Sequence, residues 1–352
     1  MTDEVLVARD GGVGRIRLNR PKAIHALTHG MVKAITDALL EWRSDDVIVA
    51  VMIDHAEGRG FCAGGDIRML AESAAGDCVD AERFYFDEYR MNHLLFVYEK
   101  PIVAFIDGIT MGGGVGLSLP SRYRVATERT VFAMPETGIG LFPDVGGGWF
   151  LPRLPGRSGI WLASTGGRID GADCVTLGIA THFIASDRLD DVKARIIADP
   201  ARLEAILDAA NETLSASAIS ELRADIDRLF ASDRYEDILA ALRADGGEWA
   251  EKQLGQLAAK SPQTIKVALR QLAEGAAKSS FADNMRMEYR IACHVIRRPD
   301  FVEGVRAVIV DKDNAPRWNP ATPEGVTKEL VESLFAPLPA SKEWTPLPEL
   351  GA

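Results

Sequence analysis

The sequence predicts an α/β architecture followed by a purely helical region. Apolar runs at residues 47–53, 101–106 and 131–134 end in glycine- or proline-bearing turns, the mark of buried strands bounded by turns. Two of the turns that follow are glycine-rich, GFCAGGDI at 60–67 and MGGGVG at 111–116, and each leads into helical spacing. From residue 187 to 298 no strongly β-like segment interrupts a succession of helical patterns.

Taken in order, residues 4–8 and 14–18 alternate around Asp10-Gly11-Gly12, a hairpin signal. Gly12-Val13-Gly14 lacks the third glycine of a dinucleotide fingerprint and reads as a turn. Asn19-Arg20-Pro21-Lys22 is a loop, and Thr28 is placed to cap a helix whose apolar face is Met31, Ile35, Ala38, Leu39 and Trp42. The strand at 47–53 feeds the first glycine junction. Residues 71–80 are small and polar and read as a flexible loop. Residues 81–99 then form a long helix with Phe84, Tyr85, Glu88, Tyr89, Asn92 and Leu95 at helical spacing. After the strands at 101–106 and 131–134, helical spacing begins at Gly156. Asp170 caps a helix that stops at Gly178, and 180–184 is a last short strand. Ser261-Pro262 suits a helix start with proline in the first turn. The proline-bearing tail from 337 reads as extended or disordered. The division expected is a core at 1–186, a helical region at 187–332 and a proline-rich tail at 333–352.

The 352 residues can bury a large core, and 47% hydrophobic with 26% charged residues is an ordinary globular composition. A formal net charge of −11 argues against a nucleic-acid or anionic-membrane partner. No apolar run approaches the ~20 residues of a membrane span. The four cysteines, Cys62, Cys78, Cys174 and Cys293, have no paired spacing, and the six histidines have no metal-ligand spacing. A reducing compartment and no metal are expected. The acidic start MTDEVLVARDGG has neither the basic region of a secretory signal nor the arginine-rich pattern of a transit peptide. The expectation is a soluble, cytoplasmic protein. Ser118 lies in GLSLP, without the second glycine of a nucleophile elbow, and there is no P-loop.

Glycine at a strand-to-helix junction allows close approach of a ligand to the free N–H groups of the helix start. Two such junctions can direct two amides at one oxygen, as an oxyanion hole requires. Beyond them, Glu136 and Asp144 place two carboxylates near the second cradle. CAGGDI, GITMGGGVG and MPETGIGLFPDVGG together resemble the enoyl-CoA hydratase/isomerase (crotonase) superfamily, and within it the 3-hydroxyisobutyryl-CoA hydrolase branch. The resemblance covers roughly residues 4–330 and implies a ClpP/crotonase-like spiral of ββα units followed by a helical C-terminal region. It implies an acyl-CoA substrate, no separate cofactor since coenzyme A is part of that substrate, and it admits a homo-oligomer. Phe301 to Arg306 matches a segment that packs back over the catalytic domain.

Carried over position by position, the resemblance makes the N–H groups of Gly65 and Gly113 the oxyanion donors, each worth about 3 kcal/mol in the transition state. It sets Glu88, Ala63, Asp66 and Ile67 against the substrate with Gly113, and puts Lys22 at the nucleotide end of coenzyme A. Hydratases of the superfamily use two glutamates. Here the first position is Gly116, and the second is Glu136. Asp144 adds an acid where hydratases usually carry a small residue. The implied activity is hydrolysis of an acyl-CoA thioester, with 3-hydroxyisobutyryl-CoA of valine catabolism as substrate; the alternative is an enoyl-CoA hydratase or isomerase. Glu136 can attack the thioester or activate a water, and Asp144 can orient the reacting group or share a proton with Glu136.

Overall fold

The computed structural model describes residues 3–214 and 217–350. Strands β1 (Val5–Asp10) and β2 (Val13–Leu18) make the expected antiparallel hairpin, turning at Gly11 with φ of 62°. Helix α1 (His29–Arg43) starts where Thr28 accepts the Met31 N–H, and it buries Met31, Ile35, Leu39 and Trp42. Strand β3 (Ala50–His55) begins later than its apolar run, because Val47 and Val49 stand on the surface.

From here each chain repeat sends one strand into each of two sheets. The repeats are β3 with β4 (Gly60–Cys62), followed by α2 (Ile67–Ala74) and α3 (Val79–Phe96); β5 (Ile102–Phe105) with β6 (Ile109–Met111), followed by α4 (Gly113–Ser118); and β7 (Tyr123–Ala126) with β8 (Val131–Ala133), followed by α5 (Gly147–Phe150) and α6 (Ser158–Thr165). The loop expected at 71–80 is shorter than expected: α2 continues to Ala74, since Ala, Glu and Ser tolerate helix well. Then come β9 (Ile169–Asp170), α7 (Gly171–Thr176) and β10 (His182–Phe183). The larger sheet has the order β1-β2-β3-β5-β7-β10 and the smaller β4-β6-β8-β9. All pairings from β2 to β10 and from β4 to β8 are parallel. This is the ββα spiral that the motifs imply.

The middle of the larger sheet is covered on both faces, so β3 and β5 are buried almost throughout and largely apolar, while the edge strand β1 is mostly exposed. Val51, Ile53 and Ala104 face the main core, while Ala50, Met52, Val103 and Phe105 face α8 (Leu189–Ala198) and α9 (Leu203–Ala210). Further helices follow: α10 (Ala218–Leu229), α11 (Tyr235–Asp245), α12 (Glu248–Ala258), α13 (Pro262–Ala276), α14 (Phe281–Val295) and α15 (Pro299–Val305). Ser261 caps α13 by accepting the Thr264 N–H. A π-helical turn, Arg306–Val310, and α16 (Lys328–Leu334) complete the helices. The tail expected to be extended or disordered holds two 3-10 turns, Ala340–Lys342 and Pro348–Leu350, and packs against the helices. Trp344 is fully buried and donates its indole N–H to Phe86 O at 3.2 Å, and Arg290 grips Glu343 at 2.9 Å. Among the described residues no helix is long and apolar enough to cross a membrane, and all four cysteines are buried free thiols.

Candidate active site

Strands β4, β6 and β8 lie side by side and parallel in the smaller sheet, so the loops leaving their C-terminal ends converge. Those loops carry Gly65, Gly113 and Glu136 in turn. Binding at the carboxyl ends of parallel strands is the general habit of α/β sheets. Leu27 bridges to Gly65 through its N–H to Gly64 O, 2.7 Å, and its carbonyl to Asp66 N, 2.9 Å. Since N–H groups alternate along an extended chain, that of Gly65 points away from Leu27. Gly113 opens α4, where an N–H has no acceptor within the helix. Gly64 and Gly112 both have positive φ, 116° and 48°, and their backbones approach so closely that a Cβ on Gly112 would meet Gly64 Cα at 3.1 Å.

A cavity of about 450 Å³ opens over the two junctions. Its wall includes Ala63, Gly65, Ile67, Gly113, Glu88, Glu136 and Asp144. Lys22 and Asp66 do not line it: Lys22 is exposed, and Asp66 pairs with Arg20 at 3.0 Å. The carboxyl groups crowd the glycines. A Cβ on Gly113 would stand 2.8 Å from Glu88 Oε1, and one on Gly112 would stand 3.4 Å from Glu136 Oε1. Glu88, Glu136 and Asp144 are all buried. Glu88 Oε1, Glu136 Oε2 and Tyr85 OH have no hydrogen-bond partner among the described residues, which for buried polar atoms in a cavity wall points to a ligand.

Burial, with the Asp144 charge beside them, holds both Glu88 and Glu136 well above the usual carboxylate range, Lys260 partly offsetting this at Glu136. Burial likewise pushes Asp144 up to about 7, against the pull of the Tyr89 hydroxyl, which donates to Asp144 Oδ2 at 2.8 Å. Three carboxyl groups in one low-dielectric pocket do not ionise together, so near neutrality the site holds both a base and a proton.

Position 116 is closed to a further acid. A Cβ on Gly116 would lie 2.7 Å from both Asn92 Nδ2 and Val145 Cβ. The space for a glutamate there is filled, and Asp144, the neighbour of Val145, lies in the cavity wall.

Sequence reasoning placed Tyr89 only in the core and passed over Lys260, Arg168, Gln271, Asn284 and Glu288. Lys260 and Arg168 line the cavity and form no ion pair among the described residues. Asn284 and Glu288 carry a readable signal: they interrupt the apolar stripe of Phe281, Met285, Ile291, Ala292 and Val295 on α14.

A family model described as Enoyl-CoA hydratase/isomerase matches residues 13–335. The chain belongs to that family. This family member is 45% identical over 347 residues to the mitochondrial 3-hydroxyisobutyryl-CoA hydrolase of Danio rerio, with 95% of this chain and 90% of the relative covered. It is 43% identical over 348 residues to the Homo sapiens protein of that name, covering 96% and 90%. Among solved structures it resembles a carnitinyl-CoA dehydratase from Mycobacterium thermoresistibile, with a TM-score of 0.93, 43% identity and coverage of 98% and 99%. An enoyl-CoA hydratase from Rhodobacter sphaeroides 2.4.1 gives a TM-score of 0.91 at 38% identity, covering 97% and 100%. The curated relatives named above are mitochondrial, which overturns the cytoplasmic expectation. That expectation rested on the charge pattern of the first residues, which says nothing of the compartment where the folded chain works.

Proposed function

We propose that this protein hydrolyses a short 3-hydroxyacyl-CoA thioester, with 3-hydroxyisobutyryl-CoA as substrate and 3-hydroxyisobutyrate and coenzyme A as products. The single observation that carries this reading over a hydratase is the exchange at the catalytic wall. Gly116 has no side chain and no room for one, while Asp144 is buried opposite the amide cradle. The names of the relatives support the same substrate, and a place in valine degradation is part of this proposal.

In this reading the thioester oxygen sits between the N–H groups of Gly65 and Gly113, which form an oxyanion hole. Glu136, with Oε2 unpartnered, takes the proton from an attacking water, or attacks first and is then released by water. The carbon–sulfur bond breaks, and the proton held between Glu136 and Asp144 leaves on the thiol. Glu88, kept neutral by burial, donates a hydrogen bond to the 3-hydroxyl. No group beyond the substrate and water is drawn on, so coenzyme A is the only cofactor-like part. Assembly as a homo-oligomer is proposed on the family's precedent, and sedimentation tests it.

The test is an assay for free thiol on 3-hydroxyisobutyryl-CoA beside an assay for hydration of crotonyl-CoA. Thiol release with little hydration is expected. Efficient hydration without thiol would establish the rival reading, a lyase on a short enoyl-CoA, which the dehydratase and hydratase among the similar structures favour.

A further inference from the structure

The turn that presents Asp144 is backbone that does not hold itself. Val145 has φ of 50° and Gly146 φ of 95°. Left-handed backbone suits Gly146, but it is a genuine outlier for a β-branched residue such as Val145 and persists only where the surroundings over-determine it. The surroundings are three side chains from the C-terminal helices. Glu288 Oε2 accepts the Gly146 N–H and its Oε1 accepts the Gly148 N–H, both at 2.8 Å. Gln271 Nε2 donates to Pro143 O at 2.7 Å and to Glu288 Oε1 at 3.0 Å, and Asn284 Nδ2 adds a bond to Oε1 at 2.9 Å. The peptide groups on both sides of Asp144-Val145 are therefore held, one at Pro143 and two beyond Val145. Gly148 has no side chain to block the approach, since a Cβ there would meet Asn284 Oδ1 at 2.8 Å and Glu288 Oε1 at 3.0 Å.

A wholly buried carboxylate with four donors is a strong anchor, and burial pushes Glu288 up to about 7 despite them. Held in this way, Val145 turns its side chain onto Gly116, and the Asp144 carboxylate meets Tyr89. We propose that Glu288, braced by Gln271 and Asn284, is a positioning residue for the hydrolysis, fixing the strained turn that aims Asp144 at the thioester. This rests on the reading of Asp144 as a catalytic group.

The experiment is a cycle of Glu288→Gln with Asp144→Asn, read as thiol release from 3-hydroxyisobutyryl-CoA with circular dichroism and melting as controls. Glutamine keeps the shape but sets an N–H₂ against one of the two backbone donors. In the otherwise native chain Glu288→Gln is expected to lower kcat about tenfold or more with KM changed less than threefold. In the Asp144→Asn chain it is expected to lower kcat less than twofold, while the melting temperature falls equally in both. Residues acting through one another are non-additive in this way. An equal fold-loss of kcat in both backgrounds, or no loss in the native one, overturns the positioning role. Normal turnover of Asp144→Asn alone would instead overturn the catalytic reading of Asp144. Should Glu288→Gln not fold, Gln271→Met removes only the bonds to Pro143 O and Glu288 Oε1, and the same cycle with it decides the matter by the same two outcomes.

Discussion

The amide wall of the cavity is made by two strand–helix turns, at Gly65 and Gly113, each contiguous in sequence, the first also bridged by Leu27. The carboxylate wall borrows its geometry from elsewhere: the Asp144 turn is gripped by side chains 128 and 142 residues further along the chain. The cradle is backbone, independent of rotamers and protonation. The opposite wall is side chain, buried, and charged only in part. In the proposed reading, contiguous motifs supply the groups that polarise the carbonyl, whereas what then happens to it depends on side chains that distant helices hold in place.

The largest expected effect tests the amide wall. Gly113→Pro removes the N–H and drives a ring toward Glu88 Oε1 and Leu27. Thiol release should fall by about 10²- to 10³-fold, the toll of one lost oxyanion donor. A folded variant with native turnover would take Gly113 out of the cradle.

Next, Glu136→Gln keeps shape and removes a base or nucleophile, for an expected loss of about 10²-fold or more. Combined with Asp144→Asn the loss should be far less than the product of the two, and a multiplicative result would separate their roles.

A third test uses pH. Burial raises both Glu136 and Asp144, so their basic forms appear only as pH climbs, and kcat/KM should rise with pH through the region of about 7 where Asp144 titrates. The Asp144 charge is one of the causes that raise Glu136. In Asp144→Asn the limb belonging to Glu136 should therefore move to lower pH, and a shift upward would contradict the shared pocket.

Gly116→Glu sharpens the comparison from the hydratase side. It overpacks Asn92 and Val145, at an expected cost of about 1–3 kcal/mol in stability, measured by denaturant melts. Crotonyl-CoA hydration should not appear, because the second glutamate has no room to be aimed. The smallest effect belongs to Lys22→Ala. An exposed charge contributes roughly 0.2–1 kcal/mol, so KM for the coenzyme A thioester should rise by at most about fivefold, and KM for the matching pantetheine thioester not at all.

Legibility in the sequence follows the same division. Thr28, Asp170 and Ser261 were readable as caps because a cap is decided within one turn, and CAGGDI and MGGGVG were readable because they are contiguous. Strands β4, β6 and β8 carry the site, yet each has only three residues, too few for alternation to register; only β8 showed, by its apolar run. Tyr89 looked like core because it is core, with a hydroxyl that finds Asp144 only after the spiral closes. Glu288 stood in plain view on an apolar stripe, but its partners Gly146 and Gly148 are far off in sequence, and no periodicity connects them. His25 had no assignable role. Its ring accepts the Arg20 N–H at 2.9 Å and bonds Glu57 O at 2.8 Å, holding a loop whose Ile24 and His25 both have positive φ.

Val308, Ile309, Asn314 and Pro316, which belong to the segment after α15, form part of the cavity wall. During synthesis on the ribosome the glycine motifs and the carboxyl groups of Glu136 and Asp144 emerge first, and this last wall emerges near the end. A nascent chain, or one cut short by a premature stop codon after α14, would therefore display CAGGDI, MGGGVG, Glu136 and Asp144 while its pocket still lacks the wall that this segment supplies. Counting such gene fragments as working hydrolases would overestimate an organism's capacity to clear acyl-CoA.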